Sequence, residues 1–250
     1  MDFMRNPTSP ERSRFSMEGL LDFSALEKPV KAHLTRVYGA LSMACLVCTA
    51  GVYCTLQGII PAFLAGNFLF ILAIFGMTIA LVTMEPTMQN QDKRMGLFMG
   101  IAAMMGINMT PLIQTVIQIN PQIIFTALLM TATIFVCFTL ASLLSGNARS
   151  FLYLGGILMS GLSSLMIIRL IGMLTGWRMA MDVTLYLGLA LMCGFILFDT
   201  QMIVMKRRMG DTDYIKHALD LFIDAVSLFK HILVLLAQKD EQRNRKRRSN

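Results

Sequence analysis

The segment IKHALDLFIDAVSLFKHILVLLA, residues 215–237, decides how this chain folds. It contains 13 Ile, Leu, Phe and Val residues, which favour insertion into a membrane by about 4–8 kcal/mol. Asp220, Asp224 and Lys230 oppose insertion by about 7–10 kcal/mol if they lie near the centre of the bilayer. The segment would scarcely insert alone, so we expect other helices of the chain to shield it from lipid.

Six apolar segments precede it, and each is close to the roughly 20 residues that a bilayer requires. The whole chain is 55% hydrophobic and only 15% charged, whereas soluble domains carry about 25% charged residues. We therefore predict an all-α, polytopic membrane protein in which six transmembrane helices surround a central seventh, partly charged helix. The predicted spans are 37–57, 62–84, 95–117, 122–145, 151–174 and 183–205, followed by 215–237.

The positions of Lys and Arg predict the orientation, because short cytosolic loops are enriched in both residues. One side of the membrane would receive the bases of the first 36 residues and of three later connections, and the other side only Arg178. We predict a cytosolic N-terminal arm (1–36), a helical membrane bundle (37–237) and a disordered basic cytosolic tail (238–250). Both termini share one side if 215–237 enters the bundle and returns; the alternative is that it crosses against the rule. The basic residues of the tail are Lys239, Arg243, Arg245, Lys246, Arg247 and Arg248.

The polar residues of 215–237 recur at intervals of three and four, which places them on one face of a helix. This face is either the solvated side of an interfacial helix or a buried polar seam that could guide ions. Asp199 favours the seam, because it follows 16 uncharged residues, 183–198, and also needs a partner. The residues of the face are His217, Asp220, Asp224, Ser227 and His231.

Of the 15 acidic residues, only Asp199, Asp220 and Asp224 lie deep within apolar segments. A tight connection would make the sixth and seventh segments antiparallel and bring Asp199 to the depth of Asp224. Two carboxyl groups in contact share a proton and titrate as one unit, so we predict that this pair is a pH sensor and ion gate. Fully ionised, it would bind calcium transiently. The alternative is a structural hydrogen-bonded pair without a role in transport.

Arg169 is the other charge deep in the predicted bundle. Its side chain either extends to the interface or provides a counter-charge to the acidic residues. The sequence thus leaves open whether the pair of aspartates has a cationic partner.

An enzymatic function is not expected. We find no pairing of a nucleophile with a base, no nucleotide-binding loop and no zinc motif, and we expect no cofactor and no binding of nucleic acid. Intramembrane aspartyl proteases also place one aspartate on each of two late helices. They carry a glycine two residues before the second aspartate, whereas here Asp220 follows HAL and Asp224 follows LFI. The remaining classes are an ion leak channel and a non-conducting interaction protein.

Five stretches of the sequence closely resemble the Bax inhibitor family, the transmembrane Bax-inhibitor-motif proteins. The combination of FDTQ with DLFID is the most specific, and the resemblance extends over nearly the whole chain from about residue 20, including the basic tail. The stretches are FILFDTQMIVMKRRMGDTDYIKHALDLFIDAVSLFK (195–230), FLYLGGILMSGLSSL (151–165), KRMGLFMGIAAMMGINMTPLI (93–113), INPQIIFTALLMTATIFVCFTLASL (119–143) and LEKPVKAHLTRVYGALSMACLVCTAGVY (26–53).

The resemblance implies six helices around a seventh, in the membrane of the endoplasmic reticulum. It implies a pH-sensitive calcium leak, protection from cell death, and contacts with anti-apoptotic Bcl-family proteins and with the stress sensor of the unfolded-protein response. The family's pH-sensing aspartates correspond to Asp199 and Asp224, and Asp220 matches an additional acid of the founding branch. Bacterial relatives hold this pair with an arginine on the second helix, but 62–84 contains neither Arg nor Lys. The oligomeric state is not implied.

Overall fold

The computed structural model describes residues 28–61, 63, 65–144, 148–176 and 178–249, and for 148–152, 178–182, 245 and 247–249 it describes the backbone alone. Most of the predicted N-terminal arm therefore lies outside the described residues, as do the side chains of Arg178, Arg245, Arg247 and Arg248. The described ranges form helices without any strand. The long helices are α1 (Lys28–Leu56), α2 (Phe68–Thr83), α3 (Gln91–Ile119), α4 (Gln122–Leu144), α5 (Ala148–Thr175), α6 (Arg178–Arg208) and α7 (Tyr214–Ser249).

Five of these helices, α1 and α3 to α6, are long and apolar enough to cross a membrane. Large apolar side chains such as Phe68 and Phe125 are more than two-thirds exposed, at 73% and 70%. A surface of this kind is stable only against an apolar surrounding such as lipid. The chain is therefore a multi-pass membrane protein, as the composition predicts.

The second predicted span, 62–84, is shorter than expected. Its helix has 16 residues and begins only at Phe68, which gives a length of about 24 Å against a hydrocarbon core of about 30 Å. The preceding chain turns at Gly66, where φ is +77°, and the side chain of Asn67 accepts a hydrogen bond from the backbone N–H of Leu69 at 3.2 Å. This cap fixes the start of the helix.

α7 lies in the interior of the bundle and packs chiefly against α1, α3, α4 and α6. α2 packs on α3, and α5 packs on α6. The apolar side of α7 is fully buried at Leu219, Phe222 and Leu228, and Phe222 meets Phe98 of α3 edge to face, with 5.9 Å between ring centroids. The shielding predicted for 215–237 is thus present, but it comes from a ring of four helices, with two more packed outside.

The ends of α7 lie at opposite ends of the bundle. Its first residue, Tyr214, accepts a hydrogen bond from Gln91 at the start of α3. Its basic last part lies beside Asn120, which follows the end of α3, and α3 has 29 residues and a length of about 43 Å. The basic side chains there line a cavity of about 580 Å³; they are Lys239, Arg243 and Lys246.

This path differs from two expectations about the C-terminal region. Residues 238–249 continue the helix instead of forming a disordered tail, and α7 does not turn back towards the end of the bundle at which α1 begins. The helix can pass through because packed neighbours, rather than lipid, surround its charged residues. The geometry corresponds to the alternative in which 215–237 crosses against the charge rule.

α1 and α3 approach each other so closely that their backbones touch. A Cβ atom added to Gly51 would lie 2.6 Å from the carbonyl oxygen of Ala103, and one added to Gly106 would overlap the carbonyl oxygen of Cys48. Small residues permit this kind of close helix packing in membranes. The α1–α3 contact supports the interior face against which α7 packs.

Gly106→Ala is therefore expected to destabilise the protein by about 1–3 kcal/mol, because the backbone of α1 or of α3 must move to accommodate the added methyl group. Gly96→Ala in the same helix meets no atom within 4 Å and serves as the matched control, since alanine there only improves helix propensity. The measurement is the midpoint of thermal unfolding in detergent micelles, followed by circular dichroism. Equal midpoints for the two variants would contradict the close α1–α3 packing.

Candidate functional site

The carboxyl groups of Asp199 on α6 and Asp224 on α7 lie close enough to interact, and Oδ2 of Asp224 is buried without a hydrogen-bond partner among the described residues. Asp199 precedes the end of α6 at Arg208 by nine residues, and Asp224 follows the start of α7 at Tyr214 by ten. These offsets correspond to about 14 and 15 Å of helix rise, so the two side chains lie at the same depth. Two carboxyl groups can be joined by a hydrogen bond only while one of them holds a proton.

Asp220 and Lys206 are charged residues that interact electrostatically with this pair. Asp220 is half-buried one turn before Asp224, and its charge acts on the pair, while the charge of Lys206 acts on Asp199 and Asp220. Arg169 lies exposed on α5 and makes no ion pair with any described residue. Lys206, rather than Arg169, is therefore the cation that this geometry places near the acidic residues.

The predicted polar face of α7 is divided between different neighbours. His217 and Asp224 are buried, whereas Asp220, Ser227 and His231 are half-buried. Nδ1 of His231 lies 2.8 Å from the carbonyl oxygen of Ser227, and its ring lies against Gly188 of α6. The face is thus enclosed by the bundle along its length, and it is not the solvated side of an interfacial helix.

A buried ion pair that the sequence analysis did not identify joins α3 to the start of α7. The guanidinium of Arg94 donates to Asp213 twice, at 2.8 Å from Nη1 to Oδ1 and 2.5 Å from Nη2 to Oδ2. Arg94 is 2% exposed and Asp213 is 9% exposed. From the sequence, Arg94 was counted only as a charge that sets orientation. The signal for its partner was the DTD sequence just before a helix, since aspartate favours the N-cap position.

Asp213 also caps α7, because its Oδ1 accepts a hydrogen bond from the backbone N–H of Lys216 at 3.1 Å. Burial acts against ionisation of this carboxyl group, but the bonds from Arg94 and Lys216 outweigh it, so the pKa of Asp213 lies below its usual value. The residue is therefore ionised at neutral pH. It connects α3 to the first turn of the helix that carries Asp224.

A pair of histidines joins α1 to α7 nearby. Nε2 of His33 lies 3.0 Å from Nδ1 of His217, and the two rings meet edge to face with 5.2 Å between centroids. Nε2 of His217 lies 3.6 Å from Oδ2 of Asp211. One imidazole must accept where the other donates, so the contact requires that at least one ring be neutral. The start of α7 is thus attached to α1 and α3 by separate polar contacts.

The site differs in two respects from the family features described above. Arg94 bonds to Asp213 and not to the Asp199–Asp224 pair, so it does not reproduce the arginine latch of bacterial relatives. Among the described residues, no three His, Cys, Asp or Glu side chains come close enough together to hold a metal ion.

The sequence matches one known family along most of its length. The model of the family described as inhibitor of apoptosis-promoting Bax1 matches residues 30–241. Bax inhibitor 1 of Homo sapiens is 37% identical over 93% of this chain and 98% of its own length. Probable Bax inhibitor 1 of Paralichthys olivaceus is 37% identical over 93% and 97%, and Bax inhibitor 1 of Arabidopsis thaliana is 35% identical over 92% and 90%. With a matching family model and relatives of this identity along nearly its whole length, the chain belongs to the Bax inhibitor family.

Proposed function

We propose that this protein is a pH-sensitive calcium leak channel of the endoplasmic reticulum membrane that suppresses apoptosis and signalling from endoplasmic reticulum stress. The observation that carries the proposal is the contact between Asp199 and Asp224 inside a bundle of apolar helices. Ionisable residues within membrane segments are costly and mark ion or proton pathways. The anti-apoptotic part follows from membership of a family whose members are named for inhibition of Bax.

The proposed gate exchanges a proton for a cation at the same oxygen atoms. With one shared proton, the pair carries a single negative charge and joins α6 to α7. After the proton leaves, two adjacent carboxylates repel each other and become hard oxygen ligands that suit calcium. Asp220 adds a further negative charge one turn away, and Lys206 limits the total charge of the site.

We place the start of α1 and the α6–α7 connection on the cytosolic side. Lys28, Lys31 and Arg36 begin α1, Lys93 begins α3, and residues 206–208 end α6, so the bases before α7 concentrate at one end of the bundle, while the basic last part of α7 lies at the other. This concentration follows the positive-inside rule. The proton-sharing pair then lies about 15 Å of helix rise from the cytosolic ends of its helices, and cytosolic acidification can reach it.

The second candidate function is a non-conducting membrane protein that restrains death effectors through contacts with anti-apoptotic Bcl-family proteins and with the stress sensor of the unfolded-protein response. The large exposed apolar surface favours it, because the same side chains that face lipid can also contact transmembrane helices of partners. In this case the aspartate pair serves only to join α6 to α7.

Reconstitution of the full chain in calcium-loaded liposomes separates the two functions. The proposal expects calcium efflux that depends on the protein and that changes between neutral and mildly acidic pH on the outside. Liposomes containing the same amount of an unrelated helical membrane protein are the control for leak caused by insertion alone. Efflux equal to that control at both pH values would rule out conduction and leave the interaction protein.

A further inference from the structure

Three buried hydroxyl groups from three helices lie together at about the depth of Asp199. The side chains of Thr139 on α4 and Thr200 on α6 lie at the hydroxyl of Tyr38 on α1. None of the three hydroxyl oxygens completes a hydrogen bond with good geometry to any described residue, and each is shielded from solvent. Thr200 is next to Asp199 in the chain, so the three hydroxyls lie at the depth of the aspartate pair.

The two threonines differ from three other buried threonines of the bundle. Thr55, Thr110 and Thr131 each donate to the backbone carbonyl four residues earlier, at 2.8, 3.3 and 2.7 Å. This local bond is the ordinary way to satisfy a threonine within a helix. Thr139 and Thr200 do not use it, so their hydroxyl groups remain directed to some other partner.

Nearby polar side chains between α4 and α6 do have hydrogen-bond partners. Ser142 donates to the carbonyl oxygen of Leu197 at 2.9 Å, and the side chain of Gln201 donates to the carbonyl oxygen of Ser142. These bonds lie within one turn of Thr139 and Thr200. The hydroxyl groups without hydrogen bonds are therefore confined to one place, and the polar groups one turn away from them are hydrogen-bonded.

We propose that Tyr38, Thr139 and Thr200 bind an internal water molecule at the depth of the aspartate pair. A buried water typically makes about three hydrogen bonds to groups that would otherwise be unsatisfied, and three hydroxyl groups can each donate or accept. A buried polar group without a partner costs about 1–3 kcal/mol, so a shared water removes the cost for all three. If the aspartate pair is the gate, a role that rests on the proposed function, this water lies at the same depth as the pair between α1, α4 and α6.

Radiolytic labelling of the full chain in micelles tests this site without any measurement of transport. X-ray exposure forms hydroxyl radicals from bound water, and these oxidise the side chain beside it, which mass spectrometry detects. We expect Tyr38 to be oxidised in the wild type although its hydroxyl group is shielded from solvent, and the labelling to be lost in Thr139→Val and Thr200→Val. Thr131→Val is the matched control, because Thr131 is on the same helix, is equally buried at 7%, and has its bond. Thr200→Ser keeps the hydroxyl group that Thr200→Val removes, so it should be labelled like the wild type.

Two results would overturn the proposal. Absence of Tyr38 oxidation in the folded wild type would show that the three hydroxyls bond to one another in a dry contact. Equal oxidation in the wild type and in both valine variants would show that the radicals come from bulk solvent. Circular dichroism of each variant confirms that it is folded. Because labelling requires no flux, failure of the channel proposal would leave a positive labelling result intact, and the reverse also holds.

Discussion

Replacement of Asp199 or Asp224 by asparagine is expected to abolish the pH dependence of calcium flux through this protein. In Asp199→Asn the amide can donate the hydrogen bond that the shared proton supplies in the wild type, so the contact between the two side chains no longer depends on a shared proton. Asp224→Asn has the same effect with the roles exchanged. A change in external pH then no longer alters the charge of the pair or the contact between α6 and α7.

The double variant Asp199→Asn/Asp224→Asn should add little to either single change, because residues in direct contact act as one unit and their effects are not additive. Asp92→Asn is the matched control, because it replaces the same side chain by the same amide at an exposed position at the start of α3. Flux is measured in calcium-loaded liposomes at neutral and at mildly acidic pH. If both single variants kept the pH response of the wild type, the pair would be a structural contact and not a sensor.

Removal of one partner from the Arg94–Asp213 ion pair should cause the largest loss of stability of any single change considered. An unpaired charge left at a buried site costs about 3–5 kcal/mol, and both side chains are at least nine-tenths buried. Asp213→Asn is the sharpest variant, because the asparagine oxygen can still accept the bond from Lys216 and so retains the cap of α7. It removes the charge opposite Arg94 while the start of the helix stays capped.

The pH dependence of this effect follows from the pKa of Asp213, which is lowered in the folded protein. A carboxyl group with a lowered pKa contributes stability above its unfolded pKa of about 3.9, and the contribution is lost as the pH falls through the folded value. Asp213→Asn should therefore be much less stable than the wild type at neutral pH. The difference between them should shrink in strong acid.

The midpoint of thermal unfolding in detergent micelles measures both effects. Arg36→Gln is the control, because Arg36 is exposed and lies near Arg94 at the same end of the bundle. Arg94→Lys keeps the charge but loses the two-bond geometry, so its midpoint should fall between those of the wild type and Asp213→Asn. An Asp213→Asn protein as stable as the wild type at neutral pH would show that the pair contributes nothing to the fold.

Much of the fold follows from local sequence because hydrophobic length and helix periodicity are local properties. The spans 95–117, 122–145, 151–174 and 183–205 all fall within or nearly within observed helices. The predicted start of the second helix differs from the observed one because the sequence just before Phe68 is partly apolar. Only the turn at Gly66 and the cap at Asn67 place the start of the helix at Phe68. Hydropathy does not register such a turn.

The acidic pair could be anticipated because burial of a carboxyl group is so costly that two isolated acids in apolar segments require each other or a cation. The depth of Asp199 and Asp224 then follows from the short connection between α6 and α7. Arg94 gave no comparable signal, since an arginine at the end of an apolar segment looks the same whether it faces lipid headgroups or a buried aspartate. Tyr38, Thr139 and Thr200 gave none, because hydroxyl residues are common within membrane helices.

The sequence by itself determined that this chain is a helical membrane protein, that 215–237 needs shelter from lipid, and that Asp199 and Asp224 are the acids to pair. Those conclusions rest on transfer free energies and helix periodicity, which depend on residue type and spacing alone. Only the tertiary structure decided that α1, α3, α4 and α6 are the chief neighbours of α7, that α7 runs from one end of the bundle to the other, and that Arg94, His33 and Tyr38 meet partners more than 100 residues away. Such contacts depend on how helices cross, and packing between distant segments leaves no periodic trace in either segment.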